Sequence, residues 1–309
     1  MMDGEILRWM TLGEAALERG QAQAAIDAFR RVLTIDPNEP RAHAMMALSL
    51  LRMKRVGAAL LEARAALVAA PEDQLVHIVM GWVLIAHNKA KAAKQSFESA
   101  RALDPASVEA LRGLAAVERH GGRYAEAIRL LEKARDLSAD DPDVFVDLGE
   151  VHLEAGRASE AATCAKIALQ AAPEHGGALV LMGHALLRNG DVKGAREHAV
   201  WALQSDPTAA APIELFCAIK ARESFWLGFW FRWNAWMSTF GPRAMLILLI
   251  AYMLQRFLVL GLEDVGQQPM SELVRYAWLG FCVYTWVAPG MFRKMIEKEL
   301  DAVQLRRDF

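Results

Sequence analysis

Residues 148–173, LGEVHLEAGRASEAATCAKIALQAAP, and residues 182–207, MGHALLRNGDVKGAREHAVWALQSDP, carry the same marks at the same spacing. Leu148-Gly149, Gly156, Ala161, Ala168 and Pro173 are answered 34 residues later by Met182-Gly183, Gly190, Ala195, Ala202 and Pro207. Outward from there, Met80-Gly81, Ala93, Phe97 and Ala100 precede Pro105, and Trp9, Leu12-Gly13, Ala25 and Phe29 precede Pro37. Pro37, Pro71, Pro105, Pro173 and Pro207 form one ladder with a 34-residue step, its one empty rung taken by Ala139. A fixed period of this length marks a repeat array.

Each unit is read as two short amphipathic helices. Small residues sit where the helices approach, and larger ones fill the space between units. Gly20, Gly156 and Gly190 fall where a first helix ends, a place that favours a residue free to take positive φ. Asp36-Pro37, Asp104-Pro105 and Asp206-Pro207 close their units, because proline cannot continue a helix and pushes the preceding residue out of helical geometry. After Ala139, Pro142 suits the first turn of the next helix, where its missing N–H has no partner to lose.

These residues resemble the tetratricopeptide repeat, a helix-turn-helix of 34 residues with a large residue, a Leu-Gly pair, a turn glycine, small alanines and a closing proline. The resemblance implies an all-α fold, a right-handed solenoid of six repeats at about 6–39, 40–73, 74–107, 108–141, 142–175 and 176–209. A capping helix at 210–222 follows, carrying Ile213 and Phe216 in phase, so that the solenoid occupies residues 1–222. No single repeat buries its apolar face alone, which makes such a cover necessary. Repeat two departs most from the pattern, with Ala47 for the glycine, Lys54 at the turn and Ala63 for the aromatic. It is expected to pack less tightly.

The 309 residues balance 35 Lys and Arg against 37 Asp and Glu, which gives no signal for nucleic acid. The repeats hold 24 basic and 28 acidic residues, and residues 210–309 hold 11 and 9. Cys164, Cys217 and Cys282 are far apart and suggest neither a zinc site nor a disulfide framework. Met1-Met2-Asp3-Gly4-Glu5 lacks the basic and apolar regions of a signal peptide, so the repeats are expected to stay where they are made.

Composition changes after Arg222. Residues 225–240 hold eight aromatics, and Trp226, Trp230, Trp233 and Trp236 suit a lipid headgroup boundary through their apolar rings and polar N–H. Residues 223–242 are read as an in-plane interfacial helix, the alternative being a tryptophan face packed on the last repeat. Two apolar stretches, 243–262 and 274–292, are each near the roughly 20 residues that cross a membrane, and residues 243–309 are read as a transmembrane hairpin with a cytoplasmic tail. Burial of both stretches in a small helical domain is the soluble alternative. The loop from Glu263 to Glu272 carries three acids and no base, whereas Arg222, Arg232 and Arg243 precede the first span and Arg293, Lys294 and Lys298 follow the second. Retention of basic residues on the cytoplasmic side places both ends there, in a multi-pass inner-membrane protein. Arg256 lies inside the first span, either snorkelling to its end or pairing with a partner carboxylate or lipid phosphate. Pro289-Gly290 is expected to bend or finish the second helix.

In the resembled family, first helices line a concave groove that binds partner peptides. Carried onto this chain, that implies an apolar stretch of Leu48, Leu51, Leu75, Ile78, Trp82 and Ile85. Beside it stand a basic segment, Arg112, Arg119 and His120, and an acidic one, Asp143, Glu150 and Glu154. Some of the apolar residues are alternatively inter-helix core. Thr11, Met45, Val79, Gly113, Asp147 and Leu181 occupy the family's asparagine rung, which disfavours its clamp for a C-terminal carboxylate. His43 and His77 recur at equal phase, but two imidazoles do not make a metal site. Arg119-His120-Gly121-Gly122-Arg123 is read either as an anion cradle or as a plain inter-helix turn. The chain holds no P-loop, HExxH or GxSxG, so neither an enzyme nor a cofactor or metal is expected. The reading is a membrane-anchored adaptor binding a protein partner. A stoichiometric subunit of a larger membrane complex is the alternative, and a membrane-bound enzyme near His198, Glu214 and Arg232 a remote third.

Overall fold

The computed structural model describes residues 2–206, 209–223, 233, 236–237, 240–241 and 244–305, in which there are fifteen helices and no strand. They form two compact units, Met1–Pro173 and Glu174–Phe309.

The first unit stacks five helix pairs. These are α1 (Met2–Glu18) with α2 (Ala22–Ile35), α3 (Pro40–Arg52) with α4 (Val56–Ala69) and α5 (Gln74–Ala86) with α6 (Ala90–Leu103). They continue with α7 (Val108–His120) and α8 (Tyr124–Leu137), then α9 (Pro142–Glu154) and α10 (Ala158–Ala171). Successive first helices, α1, α3, α5, α7 and α9, touch one another, while the second helices lie farther apart. The first helices therefore form the inner layer.

Small residues set how closely each pair approaches. Ala25, Ala59, Ala93, Ala127 and Ala161 share one repeat phase and are fully buried. The Phe29 ring lies so close to Gly13, and the Phe97 ring to both Gly81 and Gly113, that a β-carbon at any of these glycines would come within 2.5 Å of it. In repeat two the exchange is complementary: Ala63 replaces the aromatic and Ala47 the glycine, both are wholly buried, and α3 packs on α4 as closely as α1 on α2. The expected looseness is absent: Ala47 and Ala63 lie in one buried cluster, where the Ala47 methyl takes up part of the space a ring at position 63 would fill.

Turn chemistry follows the sequence. Gly20, Gly122 and Gly156 have φ of 75°, 71° and 79°, and Lys54 and Asn88 take the same left-handed turn position at 58° and 57°. The carboxylates of Asp36 and Asp104 reach over the following proline to accept from the N–H of Asn38 and Ala106, at 2.9 and 3.0 Å. Asp73, Ser107 and Asp141 cap α5, α7 and α9. His43 and His77 each place Nε2 against the carbonyl of the closing proline six residues back, Pro37 at 3.0 Å and Pro71 at 2.8 Å, which accounts for their equal phase.

In the second unit, α11 (Gly176–Arg188) and α12 (Val192–Ser205) form the sixth pair. On it packs α13 (Ala210–Glu223) through buried Leu215, Phe216 and Ile219. A Leu215 methyl occupies the space beside Gly183. Then α14 (Ala244–Asp264) and α15 (Gln268–Leu305) form a helical hairpin, and α15 touches α12. Pro289-Gly290 does not finish the helix, because α15 continues to Leu305. One arginine contact recurs at a separation of five repeats. Arg52 donates to the Leu17 carbonyl in the first unit and Arg222 to the Leu187 carbonyl in the second, each at 2.6 Å, satisfying acceptors exposed at a helix C-terminus.

Substitution Gly113→Ala should destabilise the chain by about 1–3 kcal/mol in urea unfolding, since the Phe97 ring must move. Gly57→Ala, at an exposed helical position with open space around it, should not destabilise it.

Candidate partner-binding groove

The inner layer brings the expected apolar residues onto adjacent helices. Leu48 and Leu51 come from α3, and Leu75, Ile78, Trp82 and Ile85 from α5. Ile78 is buried in the core, and the other five are half-buried against it. The Trp82 ring stands edge-on to Phe97, with centroids 5.4 Å apart. Trp82 also lines a small cavity of about 90 Å³ with Arg112, Ala115, Ala116, Arg119, Leu131, Asp147 and Val151. The apolar wall and the charged segment therefore meet at Trp82.

The basic and acidic segments face each other as a ladder between α7 and α9. Arg112 Nε donates to Asp147 at 2.6 Å, and its Nη1 lies 3.5 Å from Asp143. Arg119 pairs with Glu150 and lies 3.8 Å from Glu154. A one-repeat offset positions these pairs, since equivalent places on neighbouring first helices are 34 residues apart. Both arginine side chains are only 20 % exposed, against 51 % for Asp143, 44 % for Glu150 and 48 % for Glu154. What the groove presents to solvent here is therefore mainly carboxylate, with the arginines as its internal buttress. Burial pushes the Asp147 carboxyl up from its ordinary value, outweighing the pull of Arg112.

A second charged cluster lies at the α5–α6 and α7–α8 turns. Glu118, 3 % exposed, accepts from Lys94 Nζ at 2.9 Å and from Arg123 Nε. The Arg123 hydrogen bond holds this carboxyl below its ordinary value, with Lys94 acting in the same direction and desolvation opposing. Above it, Ile85, Asn88, Ala90, Lys91, Lys94, Val117, His120, Gly121 and Arg123 line a cavity of about 300 Å³. Neither Glu118 nor Lys94 stood out in the sequence, because 24 residues separate them and neither belongs to the repeat signature. Gly122 serves as a turn residue with positive φ.

Two sequence models of the tetratricopeptide repeat match, one over residues 78–142 and 146–210 and the other over 16–83 and 119–166. The chain belongs to the tetratricopeptide repeat family. Similar solved structures include a thermophilic TPR protein from Thermus thermophilus, with 23 % identity, coverage of 59 % of this chain and 99 % of that one, and TM-score 0.56. A TPR protein from Parabacteroides merdae is 18 % identical over 70 % of this chain and 84 % of its own, TM-score 0.60. PilW, a type IV pilus biogenesis factor, is 19 % identical over 68 % and 98 %, TM-score 0.53. These likenesses establish the solenoid fold. A comparison with curated proteins finds no match. TPR proteins are in general scaffolds for protein–protein interaction, typically without catalysis of their own.

In the tail, Trp226 and Trp230 lie outside the described residues, as does most of 223–242. Trp233 sits edge-on to Phe281 of α15, centroids 5.0 Å apart, and 5.4 Å from Trp236, which rests on Phe240 at 5.0 Å. Arg256 is exposed. Arg275, near the start of the second apolar stretch, pairs with Glu263 across the hairpin turn at 2.6 Å, a cation the loop count passed over. Among the described residues one helix, Met245–Asp264, is long and apolar enough to cross a membrane by length and composition.

Glu118 supplies a pH test. A carboxyl held low in the fold contributes stability that is complete above its unfolded pKa and is lost as pH falls through the folded value. Glu118→Gln should lower Tm by a few degrees at neutral pH and by less under acid, so the two proteins' thermal melts should converge as the carboxylates protonate.

Proposed function

We propose that this protein is a non-enzymatic adaptor whose inner layer holds an extended or helical segment of a protein partner while its C-terminal hairpin tethers it to a membrane. The observation that carries the partner reading is Trp82, fixed by Phe97 at the junction between an apolar wall and a row of exposed carboxylates. A large aromatic ring held in place loses little freedom on binding, which makes it suited to anchor an interface. The matching segment carries two or three apolar side chains followed by Lys or Arg, set against Asp143, Glu150 and Glu154. The membrane reading is supported by α14, almost all of it exposed. Its outward residues include Leu246, Leu249, Ile250, Met253, Leu254, Phe257 and Leu258, and Leu279, Val283 and Val287 are exposed on α15. That exposure counts against the alternative in which both stretches fill a small soluble core. Twenty residues of helix span about 30 Å, the thickness of the hydrocarbon layer. In this reading both ends of the hairpin face the cytoplasm and the acidic turn lies opposite. Holding groove and client at one surface raises their effective concentration, so modest contacts suffice.

The stoichiometric-subunit reading is favoured by Arg256, an exposed cation on an otherwise apolar span with no carboxylate paired to it among the described residues. Such a charge in hydrocarbon calls for a partner or for access to the interface.

A photo-crosslinking residue in place of Trp82 decides between them. The adaptor reading predicts capture of one recurring partner, abolished by adding Glu150→Lys and Glu154→Lys. With that partner in hand, Trp82→Ala should weaken binding by about thirty-fold, the ~2 kcal/mol of an interface hot spot. Capture from a probe at Trp233, with none at Trp82, would overturn it in favour of the subunit.

A further inference from the structure

The near-neutral charge of the repeats conceals a segregation that appears once the turns are sorted by edge. In the first unit, the turns within repeats are Arg19–Gln21, Met53–Arg55, His87–Lys89, Gly121–Arg123 and Ala155–Arg157. They contain Arg19, Lys54, Arg55, Lys89, Arg123 and Arg157, and no Asp or Glu. The turns between repeats, Asp36–Glu39, Ala70–Asp73, Asp104–Ser107 and Ser138–Asp141, contain Asp36, Glu39, Glu72, Asp73, Asp104, Asp140 and Asp141, and no Lys or Arg. Alternating antiparallel helices of 13 or 14 residues put the two sets at opposite edges, about 20 Å apart. At physiological salt this exceeds the ~8 Å screening length, so the edges do not cancel.

Acids at the inter-repeat edge have a local reason, since Asp73 and Asp141 cap helix N-termini and Asp36 and Asp104 accept from N–H groups of their own turns. The basic edge adjoins both the C-terminus of each first helix, which favours a cation, and the N-terminus of each second helix, which does not. Arg55, Lys89, Arg123 and Arg157 stand at the N-cap positions of α4, α6, α8 and α10, which make no side-chain cap, and a cation there opposes the helix dipole. In repeats two and three the excess extends into the flanking helices. Arg52, Lys54 and Arg55 fall at this edge in repeat two with no acid between Glu39 and Glu62, and Lys89, Lys91 and Lys94 in repeat three with none between Asp73 and Glu98. On this edge opens the cavity of about 300 Å³ lined by Lys91, Lys94, His120 and Arg123, and the buried Glu118 beneath holds Lys94 and Arg123 in place. Lys91, Lys94 and Arg123 line the cavity and no Asp or Glu does, so its wall is positive.

We propose that the basic edge of repeats two to four docks on an anionic phospholipid surface, with one headgroup phosphate entering the cavity between Lys91, Lys94 and Arg123. This rests on the membrane tether proposed above, which keeps the first unit near lipid. Phosphate is the complementary chemistry, an anion whose oxygens accept strongly from lysine and arginine.

The test is amide hydrogen exchange of the full chain reconstituted in neutral phosphatidylcholine vesicles and in vesicles containing phosphatidylglycerol. Docking predicts exchange about ten-fold slower across residues 53–57 and 87–92 in the anionic vesicles, the factor set by one undocked molecule in ten. The slowing should vanish in high salt, vanish in Lys89→Glu/Lys91→Glu, persist in Lys89→Arg/Lys91→Arg, and be absent at the acidic turns. Equal exchange in both lipids, with the chain floating with both, would overturn the docking alone. Slowing matched by inorganic phosphate in neutral vesicles would make the cavity a free-phosphate site and overturn the surface docking. Failure to float with either vesicle would overturn the tether, and the docking with it.

Discussion

The close approach of the two helices in each repeat, permitted by buried alanines and glycines in one phase, is the constraint on which the rest depends. Ala25, Ala59, Ala93, Ala127 and Ala161 are fully buried, and the rings of Phe29 and Phe97 lie flush against glycine. This spacing brings each first helix within reach of the next, which forms the inner layer and allows charges 31 to 35 residues apart to pair. Contacts run between sequence neighbours, so stability accumulates repeat by repeat and no repeat stands alone.

Much of this was legible because the period is physical. A residue that must be small, or must take positive φ, recurs wherever the same contact recurs. The helix pairs, the turn glycines and the capping helix α13 follow from that logic, and the tetratricopeptide family is confirmed by matches from residue 16 to 210. Compensation was not legible. Ala47 and Ala63 each look like defects, and only the packing of α3 on α4 shows that the pair stays closely joined. Nor does Pro289 finish its helix, since a proline in a long helix costs one hydrogen bond but does not forbid continuation.

At the groove the sequence named the participants without showing how they pair. Arg112 and Arg119 read as a basic segment beside an acidic one, and the fold pairs the two, leaving carboxylates as the exposed charge. The Glu118 cluster was invisible for a different reason, because Glu118 and Lys94 have no counterpart at the repeat step and only Arg123 does. Charge segregation between the edges escapes any total taken along the chain, for it exists only after folding sorts the turns. All these misses concern which side chains meet between helices, information that a period cannot carry.

The account's central claim is that a partner-binding solenoid is held at a membrane by an apolar hairpin, with α14 as its clearest span. Fractionation of cells expressing the full-length chain, followed by alkaline carbonate washing of the membranes, tests it most directly. The account predicts that the protein stays in the washed membrane pellet and leaves it only with detergent. Recovery in the high-speed supernatant without detergent would contradict it.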